Sequence, residues 1–176
     1  MQRKEKTTAQ EERYIFIDSC IQNLQEAHSI LKVIKKEPEN KLKVPAFNYA
    51  LILYSMPYRK SRGTHLKNHI LEQTFIPGNY RDLHKKITDC RDQIYAHDDL
   101  TVKEAEINVF KFQVSGKTFE KIGIKQNFLK GELFPRIDEI ILLIEKSLDK
   151  MIAEKSRQDQ EILLSRKLTN VETNMH

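Results

Sequence analysis

The stretch Arg91-Asp92-Gln93-Ile94-Tyr95-Ala96-His97-Asp98-Asp99 places an arginine and a histidine six positions apart, near the middle of a 176-residue chain. A histidine, with a reference pKa near ~6.5, takes or gives a proton close to neutrality, and an arginine carries a fixed charge. The pair suits a site that grips and cuts a phosphodiester; it also suits the edge of an ordinary helix. On a helix turning about 100° per residue, Leu83, Ile87, Cys90 and Ile94 form one apolar stripe. Arg91 and His97 flank that stripe from opposite sides, about 9 Å apart along the axis, and cannot easily hold one another. Two such helices meeting along their stripes would gather two arginines and two histidines in one groove, as a twofold dimer does. Geometry by itself favours the plainer reading, with Arg91 a surface cation and His97 a helix-end residue suited to the macrodipole.

Other reactive side chains offer less. His65 and His69 stand four apart, one helical face, but Leu66 occupies the place where a zinc protease needs its glutamate. No acid or cysteine at ligand spacing completes a set, so no metal site is expected there. Cys20 and Cys90 lie in apolar helical patterns without paired spacing and read as buried thiols of a reducing compartment. His28 falls in an apolar stripe and reads as a satisfied core histidine. No cofactor motif is present, and none is expected.

The elements that must position these residues are mostly helical. Tyr14, Ile17, Ile21, Leu24, Leu31 and Ile34 recur at helical steps from Glu12 to about Lys36, where Glu37-Pro38 ends the pattern. After a linker, AFNYALILYSM is apolar nearly all round and reads as a central buried helix closed by Pro57. The segment YRKSRGTHLKNHILEQTFIPGN is basic and turn-rich, and reads as loops with one short helical piece. Asn79 is placed to cap the motif helix at Tyr80, and Thr101 with Glu104 forms a capping-box pattern beyond it. Period two then replaces the helical period: Phe110, Phe112 and Val114 alternate with Lys111 and Gln113, Ser115-Gly116 makes a turn, and Ile122 and Ile124 continue. This predicts a β-hairpin inserted at about 106–124. Pro135 opens a last long helix through Ile140, Ile144, Leu148 and Ile152. The expected fold is all-α, a bundle of four principal helices with a small β-hairpin insertion. Residues 1–11 read as a flexible arm, 12–155 as one domain, and 156–176 as a helical extension and tail. In that extension Ile162, Leu163 and Leu164 offer a small docking patch.

A net charge of +5 with a pI near 9.1 tilts the choice of partner toward an anion, with RNA or DNA first. The charged residues, 31% of the chain and of both signs, also describe an ordinary solvated helical surface. No apolar run reaches a membrane span, and the N-terminal MQRKEKTTAQEER is no signal peptide. A cytoplasmic protein without membrane contact is the expectation.

The extended segment NYRDLHKKITDCRDQIYAHDD resembles the signature helix of the HEPN superfamily, in particular its branch associated with abortive infection in bacteria. That motif is an arginine, a polar residue, and a histidine four to six residues later, matched here by Arg91, Asp92 and His97 and by the ending from Tyr95 to Asp99. The order of helices around it agrees in architecture. The resemblance implies a HEPN-like bundle that forms a homodimer across the motif helix. It further implies a metal-independent endoribonuclease, used as a toxin or phage-defence effector beside an antitoxin or other operon partner. Arg91 would then neutralise the scissile phosphate and His97 would handle protons, as the ribose 2′-OH attacks the adjacent phosphorus. Asp92, Tyr95 and His84 would support them, and Arg81, Lys85 and Lys86 are weaker candidates for contact with RNA. Relatives silenced by an adenylylating antitoxin carry a tyrosine two residues after the histidine; this chain has Asp99. Inactive relatives serve as modules binding RNA, nucleotide or a protein, which is the alternative reading.

Overall fold

The computed structural model describes residues 8–37, 39–65, 68–95, 105–114, 116–126 and 129–173. It is mostly helical, with one two-stranded hairpin. Helix α1 runs Ala9–Lys36 and buries Ile17, Cys20, Ile21, Leu24, Ala27, Leu31 and Ile34, the stripe its periodicity demands. It starts three residues before Glu12, because Thr8 and Glu11 form a capping box. The Glu11 N–H donates to Thr8 Oγ1 at 3.2 Å, and the Thr8 N–H donates to Glu11 Oε2 at 2.9 Å. Part of the segment read as a flexible arm therefore belongs to the helix.

Helix α2, Lys43–Ser55, buries Phe47, Ala50, Leu51, Leu53, Tyr54 and Ser55, and accepts Pro45 in its first turn. Helix α3, Arg81–Tyr95, buries Leu83, Ile87 and Cys90 against the same core. Asn79 does not cap it; a single 3-10 turn, Gly78–Tyr80, leads in, with the Tyr80 N–H donating to the Pro77 carbonyl. The short α4, Leu129–Leu133, brings Leu133 into the core. A 3-10 turn holding Pro135 then opens α5, Ile137–Thr173.

Helices α1 and α5 lie antiparallel. Lys35 pairs with Asp138, His28 with Glu145, Lys155 with Asp18 and Arg166 with Glu11, in that order along the seam. The His28 ring is part-buried at the edge of the core with Nε2 2.8 Å from Glu145 Oε1, satisfied as its stripe position indicates but on the seam between the helices and not inside the core. The polar stretch after Ala153 remains in α5: Arg157 bridges Glu154 and Glu161 at i,i+3 and i,i+4 spacing. Leu163 and Leu164 are exposed on it.

The hairpin pairs β1, Ala105–Val114, with β2, Lys117–Gln126, in register Val109↔Ile122 and Phe112↔Phe119. Gly116 turns it with φ +76°, a left-handed conformation that glycine adopts without a Cβ penalty. The Thr101–Glu104 capping pattern lies outside the described residues. Leu24, at 0% exposure, sits in the core under α1. Leu24→Ala should cost about 2–5 kcal/mol in urea unfolding, whereas Leu163→Ala on the exposed tail of α5 should change it by less than about 0.5 kcal/mol.

Candidate functional site

The stripe on α3 sets the direction of its neighbours. With Leu83, Ile87 and Cys90 at 2%, 0% and 1% exposure, the helix cannot rotate, and Arg91 is turned toward α1 and the α2–α3 connection. Its side chain is about three-quarters buried, and its Nη1 donates to Asp92 Oδ1 at 3.0 Å. Arg59 donates from Nη2 to the same Asp92 oxygen. One carboxylate thus holds the guanidinium group of its neighbour Arg91 and that of Arg59, 33 positions earlier in the chain.

Arg59 follows a 3-10 turn, Met56–Tyr58, pinned by the buried Pro57, whose carbonyl accepts the Leu71 N–H at 2.8 Å. Beyond it the connection folds back on itself. Ser61 and His69 exchange both backbone hydrogen bonds, at 2.8 and 2.7 Å, in an isolated antiparallel bridge. His65 and His69 therefore do not share a helical face, contrary to their spacing of four, because His69 is held in this bridge. Glu12 on α1 accepts the Thr64 and His65 N–H groups at 2.7 and 2.8 Å through Oε2, and its Oε1 lies 2.6 Å from His69 Nε2. The carboxylate offers these backbone donors what a helix would have offered them. Gly63 sits so close to this clasp that a Cβ would run into Glu12 Oε1 and His69 Nε2. His69 is buried and stacked on Phe16, with ring centroids 5.1 Å apart.

The result is a cavity of about 570 Å³ between α1 and the connection. Arg59, Lys60, Arg62 and Arg91 line it, and among the described residues Glu12 is the only carboxylate in its lining. Glu12 already has His69 and two backbone donors, and Lys60 and Arg62 are exposed and in no ion pair among the described residues. Four cations around a partly desolvated space attract an anion far more strongly than scattered surface charges do. Ile15 and Met56 add exposed apolar surface at its rim.

Of the residues singled out in the sequence, the structure brings Arg91 and Asp92 into this arrangement. Tyr95 closes α3 as its last residue. His97, with the acids Asp98 and Asp99, lies outside the described residues. His84 is elsewhere: its Nδ1 is 2.9 Å from Tyr54 Oη, and its ring packs edge-on against Tyr54 and Tyr58. Burial lowers its pKa from 6.5 to about 4, so it is neutral at pH 7. Burial likewise pushes the Tyr54 phenol well above its usual range and the Cys20 thiol up to about 12, which leaves neither a nucleophile. Arg81, Lys85 and Lys86 are exposed on α3 and do not line the cavity; Lys86 pairs with Glu132 at 3.1 Å. Among the described residues no group of three His, Cys, Asp or Glu side chains is placed to hold a metal ion.

Arg59, Lys60, Arg62 and Glu12 escaped the reading of the sequence, and His69 was weighed there only as a metal ligand beside His65. The run Arg59-Lys60-Ser61-Arg62-Gly63 carries a signal, three cations in four positions ending on a glycine, but such runs usually mark a solvated loop. Nothing local points to Glu12, which acts across more than fifty residues of chain.

Comparison of the chain with known protein families, with curated proteins and with solved structures finds no match. No helix among the described residues is long and apolar enough to cross a membrane.

His84 gives a sharp test of the packing around the site. Its folded pKa lies below the unfolded value, so between about pH 6.5 and pH 4 the unfolded chain binds the extra proton. Stability should therefore fall as pH drops through that window, and His84→Phe should flatten the slope. An imidazole resonance of His84 titrating near 6.5 would contradict the buried, neutral assignment.

Proposed function

We propose that this chain is an endoribonuclease that needs no metal and cuts RNA by attack of the ribose 2′-OH. The observation that carries the reading is the convergence of Arg59, Lys60 and Arg62 on Arg91 in one cavity whose own carboxylate is already engaged. A phosphodiester is the anion that such a fork of guanidinium groups fits best. RNA brings its own nucleophile, so the protein must supply only charge at the phosphoryl oxygens and carriers for two protons.

In the proposed reaction Arg91 and Arg59 hold the non-bridging oxygens, with Asp92 fixing the angle between them. The 2′-oxygen bonds to phosphorus as its proton passes to a base, the bond from phosphorus to the 5′-oxygen breaks, and that oxygen gains a proton. His97, six residues beyond Arg91, is the carrier the sequence offers. A second copy of the chain would bring a second histidine, one to take a proton and one to give it. Since Leu83, Ile87 and Cys90 are spent on this chain's own core, the copies would meet near the end of α3 and not along that stripe. The HEPN-like motif supports a role as the toxin of a toxin–antitoxin pair or as a phage-defence effector.

Purified chain should cut single-stranded RNA in the presence of EDTA, and a 2′-deoxy substitution at the cut site should block it. Arg91→Ala should lower the rate about 10²–10³-fold, the usual loss when one charge-stabilising donor is removed. His97→Ala should lose about 10²–10⁴-fold, and mixing the two variants should restore activity if their sites are shared. Undiminished cleavage by both contaminant-free variants would sink the assignment. Tight RNA binding without any cutting would place the chain among non-catalytic binding modules.

A further inference from the structure

The hairpin carries two faces of different chemistry. Cross-strand partners share a face, so the register places Phe110, Phe112 and Phe119 together with Lys117 and Lys121. Val109 and Ile122 lie on the other face with Lys111 and Glu120. Phe110, Phe112 and Phe119 are 56%, 46% and 46% exposed, and the Phe112 and Phe119 rings stack with centroids 5.8 Å apart. Three half-exposed rings on a two-stranded ribbon, itself marginal in water, mark a surface that something covers.

Charge says what kind of partner that is. On the aliphatic face Lys111 is neutralised by Glu120 at 2.8 Å. On the aromatic face Lys117 and Lys121 are exposed and in no ion pair among the described residues. Flat π surfaces beside uncompensated cations match the bases and phosphates of an unpaired strand, each ring stacking one base and each lysine meeting a phosphate. A duplex hides the faces of its bases. A second copy of the hairpin would bring like charges against Lys117 and Lys121.

We propose that this face is a stacking platform for single-stranded nucleic acid, with bases on Phe110, Phe112 and Phe119 and the backbone held by Lys117 and Lys121. The inference deepens the ribonuclease reading and rests on it for the strand being RNA; the binding itself does not depend on cutting.

The chain contains no tryptophan and six tyrosines, so Phe112→Trp introduces a single tryptophan on the platform, excited selectively above the tyrosine absorption band. The probe is a 2′-deoxy single strand of about ten nucleotides, within the span such platforms cover, which cannot be cut by 2′-OH attack. Tryptophan quenching is expected as that strand is added, with at least about tenfold weaker binding of the matching duplex. Phe112→Ala with Phe119→Ala should weaken strand binding about 10-fold or more, read by fluorescence anisotropy, while Val109→Ser with Ile122→Ser on the opposite face should leave it unchanged. Absence of quenching at saturating strand would overturn the platform, as would equal affinity for duplex. A dimer that dissociates in the double-alanine chain with strand affinity unaltered would assign the face to contact between copies and overturn it equally. Failure of Arg91→Ala to slow RNA cleavage, with quenching intact, would refute the ribonuclease reading and leave the platform standing.

Discussion

Arg59, Lys60, Arg62 and Arg91 repel one another, and the cavity they share depends on two carboxylates that oppose this repulsion. Asp92 lies between the guanidinium groups of Arg59 and Arg91 and accepts from both. Glu12 acts one step further out, tying the backbone at Thr64 and His65 and the ring of His69 to α1. Arg59 and Arg91 meet on one Asp92 oxygen in a partly buried space, where like charges cost several times what they do in water, so the Asp92 carboxylate is what lets them stand together. Glu12 is largely buried and fully engaged, which lets it hold the loop without cancelling the field inside the cavity. The consequence is a concentration of positive charge around the cavity, whose one carboxylate among the described lining residues is already engaged.

The helical body explains why those anchors stand where they do. The antiparallel α1–α5 seam, with its ordered ion pairs and buried leucines and isoleucines, fixes α1 and with it Glu12. The burial of Leu83, Ile87 and Cys90 fixes the rotation of α3 and with it Arg91 and Asp92. The site is built where a rigid helix, a second rigid helix and a clasped loop converge, an arrangement that pre-organises charge before any ligand arrives. His84, about two turns before Arg91 on α3, shows the opposite use of a histidine. Tyr54 and Tyr58 enclose it, and burial keeps it neutral.

The legible part of the fold was the part written in periodicity. The stripes of α1, α3 and α5 and the alternation of the hairpin each state a period of 3.6 or 2, and each element formed where its period lay. The termini were less legible because caps act locally: Thr8 and Glu11 lengthen α1 by a turn, and the Arg157 ladder carries α5 unbroken through the polar stretch into the extension. The α2–α3 connection was legible as loops with a short helical piece, but not its path, which is set by Glu12 and by the buried Leu71 and Ile76, none of which has a pattern in the local sequence. For the site, the helix motif pointed to Arg91 and Asp92, while the three cations across the cavity are neighbours only through that long-range clasp.

If the cavity acts on RNA as its charge suggests, the atoms that change hands leave a signature on the product. Attack by the 2′-OH leaves a 2′,3′-cyclic phosphate on one fragment and a free 5′-hydroxyl on the other. Hydrolysis by a metal-activated water leaves a terminal phosphate monoester instead. Mass spectrometry of fragments cut by the purified chain in EDTA reads this directly. The account predicts cyclic phosphate and 5′-hydroxyl ends that vanish with Arg91→Ala; 5′-phosphate ends, or fragments unchanged by that substitution, would contradict it.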